Sequence, residues 1–153
     1  MLYLTLTNMH QPWHYLRDYY PDVEVEFTDS CGHAGCMGKT HGNTIEIDRT
    51  SSQRERRGTL CHETFHHVRG PVPPDPYLAA KEERTVQLLT AQTLIALDDL
   101  IDALIWNRRR VDDDTADDLW IDHDILLTRI QRLTDKERTY IESELRRRSP
   151  WNN

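Results

Sequence analysis

The chain has no long hydrophobic run, few cysteines and little excess positive charge, and each shortage removes a class of protein. No stretch reaches the roughly 20 apolar residues a membrane-spanning helix needs, so no membrane partner is expected. The amino-terminal residues 1–7 lack a basic segment followed by a long apolar one, so no signal peptide is expected. Three cysteines without such a signal suggest reduced thiols in a cytoplasm. A formal net charge of -7 argues against nucleic acid as the main partner, because a phosphate backbone requires a basic face. The clusters Arg108-Arg109-Arg110 and Arg146-Arg147-Arg148 are exceptions, and each reads as a solvated helix end. What remains is a polar globular protein of 153 residues, 37% hydrophobic and 29% charged, long enough to bury a core.

Within that background one stretch concentrates chemistry: Cys61-His62-Glu63-Thr64-Phe65-His66-His67. It contains His-Glu-x-x-His. On a helix, residues four apart share a face, so His62 and His66 can each aim one ring nitrogen at a single ion. Glu63 then lies near the ion as a general base without being a ligand. That combination suits a hydrolytic zinc site with one catalytic Zn2+. The local pattern predicts a helix. Ser52 and Glu55 have capping-box spacing, Leu60, Thr64 and Val68 repeat every four residues with Cys61 and Phe65 alongside, and Gly70-Pro71 is a stop. His67 is about 100° around the helix from His66 and reads as a supporting or surface histidine.

The rest of the chain predicts an α+β fold. A short helix spans His10 to Tyr20. Val23 to Phe27 alternates as a strand with Val23, Val25 and Phe27 inward, and Asn43 to Asp48 alternates as a second. Thr28 to Gly42 reads as a glycine-rich loop joining them, which suggests a small antiparallel sheet packed on the motif helix. Asp75-Pro76 starts the next helix, to about Ile95. Leu97 to Trp106 continues as a helix, Thr115 to Trp120 starts another, and Ile121 to Arg148 holds two more, the last opened by the Thr134–Glu137 capping box. These suggest one domain over residues 1–106 that carries the motif and a small helical, helix-turn-helix-like region over 107–153.

A catalytic zinc takes three protein ligands and one water. Glu82 and Glu83 begin the helix after the proline-rich connector, where a carboxylate can reach the motif helix. Glu83 shares a face with Val86, Gln87 and Thr90 and is favoured, with Glu82 second. Cys31, His33, Cys36 and His41 offer four further donor atoms, but their spacing matches no trusted zinc motif; a flexible loop is the simpler reading, and a structural zinc or a Cys31–Cys36 disulfide are the alternatives.

Residues Glu55 to His67 resemble the motif helix of ImmA/IrrE-type metallopeptidases, a gluzincin-like group with short phage and prophage members that carry Arg-Arg-x-Thr-Leu-x-His-Glu-x-x-His. The strand Asn43 to Asp48 and the helix Glu82 to Ile95 are similar to the elements that precede and follow that motif, and the resemblance covers roughly residues 21–145. It implies zinc at His62, His66 and Glu83, Glu63 as general base, and a protein or peptide substrate, such as a phage or mobile-element repressor, in a bacterial cytoplasm. It further implies that the substrate adds as a strand to a sheet edge, for which Ile45, Glu46 and Ile47 are the candidates. A second oxyanion donor is expected from Tyr77 or His33. The chain departs from the group at Cys61, where alanine is common, and at Gln87, where an aspartate would orient a ligand histidine. The alternative is a catalytically silent module of the same fold that binds a partner.

Overall fold

The computed structural model describes residues 10–29 and 36–148. Its fold is mixed α+β, with a three-stranded sheet and seven helices among the described residues. Two compact units divide the chain, one over His10–Thr90 and one from Ala91 onward. The division falls at Thr90/Ala91, whereas the sequence suggested a boundary after Trp106.

The first unit opens with α1 (Pro12–Tyr19), started by proline in the first turn, where its missing N–H costs nothing. Strands β1 (Glu24–Thr28), β2 (Gly38–His41) and β3 (Thr44–Asp48) follow. The sheet order is β1-β3-β2. β3 therefore lies in the centre, with β1 parallel to it and β2 antiparallel. The expected purely antiparallel pair is corrected on two points. The predicted loop Thr28 to Gly42 contains a whole strand, and the two predicted strands pair in parallel because β2 takes the hairpin position. A two-residue turn closes that hairpin, with Gly42 at φ 57, a conformation L-residues with a side chain rarely adopt. Cys36, just before β2, is disulfide-bonded in place of the reduced thiol expected. Cys31 and His33 lie outside the described residues.

Ile45 and Ile47 of β3 are fully buried and join Leu16 and Leu60 in one core, flanked by Tyr20, Val23 and Val25. Phe27, expected inward, is 37% exposed. Its ring is instead covered by the Arg56 guanidinium, 4.6 Å from the ring centroid, and by Trp13, contacts that favour a half-exposed aromatic ring.

Helix α2 (Gln53–Arg69) carries the motif, and it packs on α1, β2 and β3. The Ser52–Glu55 capping box is formed in both directions and Gly70, at φ 93, caps the other end. Leu60, Cys61 and Thr64 are buried as the stripe predicts, but Val68 is exposed. Helix α3 (Pro76–Leu94) follows. The Leu78 N–H donates to Asp75 Oδ1 at 2.9 Å, the N-cap bond the sequence suggested.

In the second unit, α3 stops at Leu94 and α4 (Leu97–Trp106) starts after a two-residue break. The break leaves the Ile95 carbonyl outside the helical ladder, and the buried Arg129 Nε–H donates to it at 3.1 Å. Helix α5 (Asp113–Asp118) begins two residues earlier than expected because Asp112, not a later residue, caps it. Helices α6 (His123–Gln131) and α7 (Asp135–Arg148) complete the unit. The Thr134–Glu137 box is present: the Glu137 N–H donates to Thr134 Oγ1 at 3.2 Å and the Thr134 N–H to Glu137 Oε2 at 2.9 Å. Leu100, Ile101, Leu104, Leu119, Ile121, Leu126, Ile141 and Leu145 supply the apolar interior. No helix among the described residues is long and apolar enough to cross a membrane.

Candidate metal centre

The helical pitch brings His62 and His66 to one face of α2, and the short connector after Gly70 returns the chain so that α3 faces them. Their Nε2 atoms are 3.2 Å apart. Glu83 reaches both: His62 Nε2 lies 3.0 Å from Oε1 and His66 Nε2 3.0 Å from Oε2. His62, His66 and Glu83 form a group whose ligand atoms all lie within 4.8 Å of one another and that can hold a metal ion.

The spacing and the donor chemistry both fit zinc. Four ligands placed tetrahedrally about 2.0–2.1 Å from one ion stand about 3.3–3.4 Å apart. The 3.2 Å between the two ring nitrogens is close to such an edge, and each nitrogen lies 3.0 Å from a different oxygen of Glu83. Two imidazoles and one carboxylate are a borderline-soft donor set suited to Zn2+, and three protein ligands leave a fourth position open. The bonds from His62 and then His66 hold the Glu83 carboxyl well below the usual carboxylate range. The same Glu83 bond raises His66, against the effect of its burial. His66 Nδ1 is buried and without a hydrogen-bond partner, although ligand histidines ordinarily donate from that nitrogen.

Arg69 turns Glu82, the neighbour of Glu83, away from the histidines. Its Nε and NH2 groups donate to the two Glu82 oxygens, at 2.5 and 3.0 Å. Glu82 is thereby committed to the end of α2, and Glu83, about 100° around α3, is left to meet the histidines.

Glu63 is 7% exposed. Thr40 of β2 places its hydroxyl 2.7 Å from Glu63 Oε2 and 3.0 Å from the Glu63 carbonyl oxygen. Gly38 permits that approach. A Cβ there would stand 2.4 Å from Thr59 Cγ2 and 3.0 Å from Glu63 Cγ. Neither Gly38 nor Thr40 was legible as a site residue, because a short polar strand lacks the alternation that marks β1 and β3.

Other expected residues lie elsewhere. Ile45, Glu46 and Ile47 belong to the central strand, so they are not an edge, and β2 is the edge that meets the motif helix. Gln87 approaches Glu83 Oε1 at 3.5 Å rather than a histidine. The His67 ring packs edge-on against Tyr20, and its Nδ1 contacts the Gly42 carbonyl at 3.1 Å, bracing the hairpin turn. Tyr77 is 72% exposed in the first turn of α3. His41 pairs with Glu46 at 3.1 Å. Burial pushes the Cys61 thiol up to about 12, which leaves it an apolar filler beside the site.

Comparison of the chain with protein families, with curated proteins and with solved structures gives no match.

Proposed function

We propose that this chain is a zinc-dependent metallopeptidase similar to the ImmA/IrrE type, with His62, His66 and Glu83 holding the ion and Glu63 acting as general base. The observation that supports it is the convergence of two ring nitrogens, 3.2 Å apart, on the two oxygens of one carboxylate, each at 3.0 Å, with a second carboxylate one residue from the first histidine. A bound zinc supplies Lewis acidity, which lowers the pKa of water from about 15.7 towards about 7 and polarises a carbonyl group. Glu63 takes the proton of the attacking water and returns it to the leaving amine. Strand β2 is the sheet edge next to Glu63, so an extended peptide pairing there is presented to the base. The resemblance extends the proposal to the substrate class, a regulatory protein such as a mobile-element repressor, and to a zincin-type pairing of the motif and glutamate helices.

The test uses an internally quenched peptide library of random sequence, with zinc content measured alongside. The variant Glu63→Gln keeps one zinc per chain and loses about a thousandfold or more in cleavage. Glu83→Ala loses stoichiometric zinc. Cleavage by Glu63→Gln at the wild-type rate, or full zinc in Glu83→Ala, overturns the assignment.

A further inference from the structure

We infer that Thr40 is a positioning residue for the general base, fixing the Glu63 carboxylate while its own backbone receives the substrate strand; this rests on the peptidase reading above.

The hydroxyl of Thr40 has one proton and two acceptors within reach, Glu63 Oε2 at 2.7 Å and the Glu63 carbonyl at 3.0 Å. That carbonyl lies inside α2, where the helical ladder already supplies a donor. The carboxylate is the nearer and the charged acceptor, so it takes the proton, in the stronger of the two bonds. With Oε2 held, the carboxylate cannot swing freely, and Oε1 remains to accept a proton from water.

The backbone of the same residue faces the other way. In the β2–β3 pair, His41 stands opposite Thr44 across the two-residue turn, Lys39 opposite Glu46, and Thr40 opposite Ile45. The Asp48 N–H donates to the Met37 carbonyl at 2.9 Å. In an antiparallel pair, bonded residues alternate along the strand. Met37, Lys39 and His41 therefore spend their peptide groups on β3, and Gly38 and Thr40 turn theirs to the edge away from it, where the Gly38 carbonyl contacts Cys36 Sγ at 3.2 Å and no further strand pairs among the described residues. An extended peptide adding to that edge bonds to Thr40 itself. One residue thus joins the placement of the substrate to the orientation of the base, and Gly38, two positions earlier on the same face, provides the space for it.

Thr40→Val removes the hydroxyl and keeps the shape; Thr40→Ser restores the hydroxyl. On the library peptide that the wild type cleaves fastest, Thr40→Val lowers kcat about 10- to 100-fold while KM stays within about threefold, and Thr40→Ser recovers kcat to within about threefold. Zinc content is unchanged in both. Independently of activity, the 13C carboxyl resonance of Glu63 in the zinc-free protein shifts in Thr40→Val and not in Thr40→Ser. A Thr40→Val enzyme with wild-type kcat, or an unshifted Glu63 resonance, overturns the role of Thr40 alone. A wild type without cleavage, or a Glu63→Gln variant that cleaves, overturns the peptidase reading and this inference with it.

Discussion

The two units arrange their charged groups differently. From Ala91 onward, the buried Arg129 meets an acid, and ion pairs join the more exposed groups of α7 and α4. Arg129 is 3% exposed and bonds the Ile95 carbonyl and Glu137. Glu144 bonds Arg147 and Arg148, and Arg148 also reaches Asp98 and Asp102. In the unit from His10 to Thr90, two imidazoles converge with Glu83 on one point, with no lysine or arginine bonded to that carboxylate among the described contacts. The first unit also holds a compensated pair, Arg69 with Glu82, so what sets it apart is the group of His62, His66 and Glu83, which the proposed function reads as a cation site.

The comparison can be broken at its strongest point with Arg129→Met. The substitution leaves the Ile95 carbonyl and the Glu137 carboxylate without their buried donor and should lower stability by about 3 kcal/mol in urea unfolding. Zinc content of the folded variant should match wild type; loss of the ion would show that the two kinds of charge are not separable. Gly38→Ala is the counterpart in the first unit. The added methyl meets Thr59 and Glu63, so stability should fall by about 2 kcal/mol and cleavage should fall more steeply than stability. An unchanged urea midpoint with wild-type cleavage would refute the close approach of β2. The smallest effect concerns acid. Bonds from Arg147 and then Arg148 bring Glu144 from its ordinary 4.5 down to about 2. A carboxyl lowered in the folded state contributes stability that is present above its unfolded value and is lost as pH falls through the folded one. That window runs from about 4.5 to about 2. Glu144→Gln should flatten the thermal midpoint against pH across that window; an equally steep acid limb would place the sensitivity elsewhere.

What could be read from the sequence follows from how local each signal is. Capping boxes at Ser52–Glu55 and Thr134–Glu137, the Asp75-Pro76 start, and the four-residue repeat of His62 and His66 all act within one helical turn, and all are present in the fold. The preference for Glu83 over Glu82 rested on helix faces, whereas what turns Glu82 away from the histidines is Arg69, on the preceding helix. The sheet was misread because Gly38, Lys39, Thr40 and His41 have no apolar periodicity and form an edge; without β2, the other two strands, which are indeed neighbours, seemed antiparallel. Arg57 and Arg129, at 2% and 3% exposure, look like surface residues in any composition argument, since burial of an arginine depends on carbonyls and acids supplied from elsewhere.

The pairing of Arg69 with Glu82 also bears on the shape of the site. It spans the connector from Gly70 to Asp75 and ties the last residue of α2 to the first turns of α3. The approach of the two helices is thus braced by two residues outside the group of His62, His66 and Glu83, one of them the sequence neighbour of Glu83. A change at Arg69, one turn beyond the histidines, is therefore felt at the carboxylate that faces them.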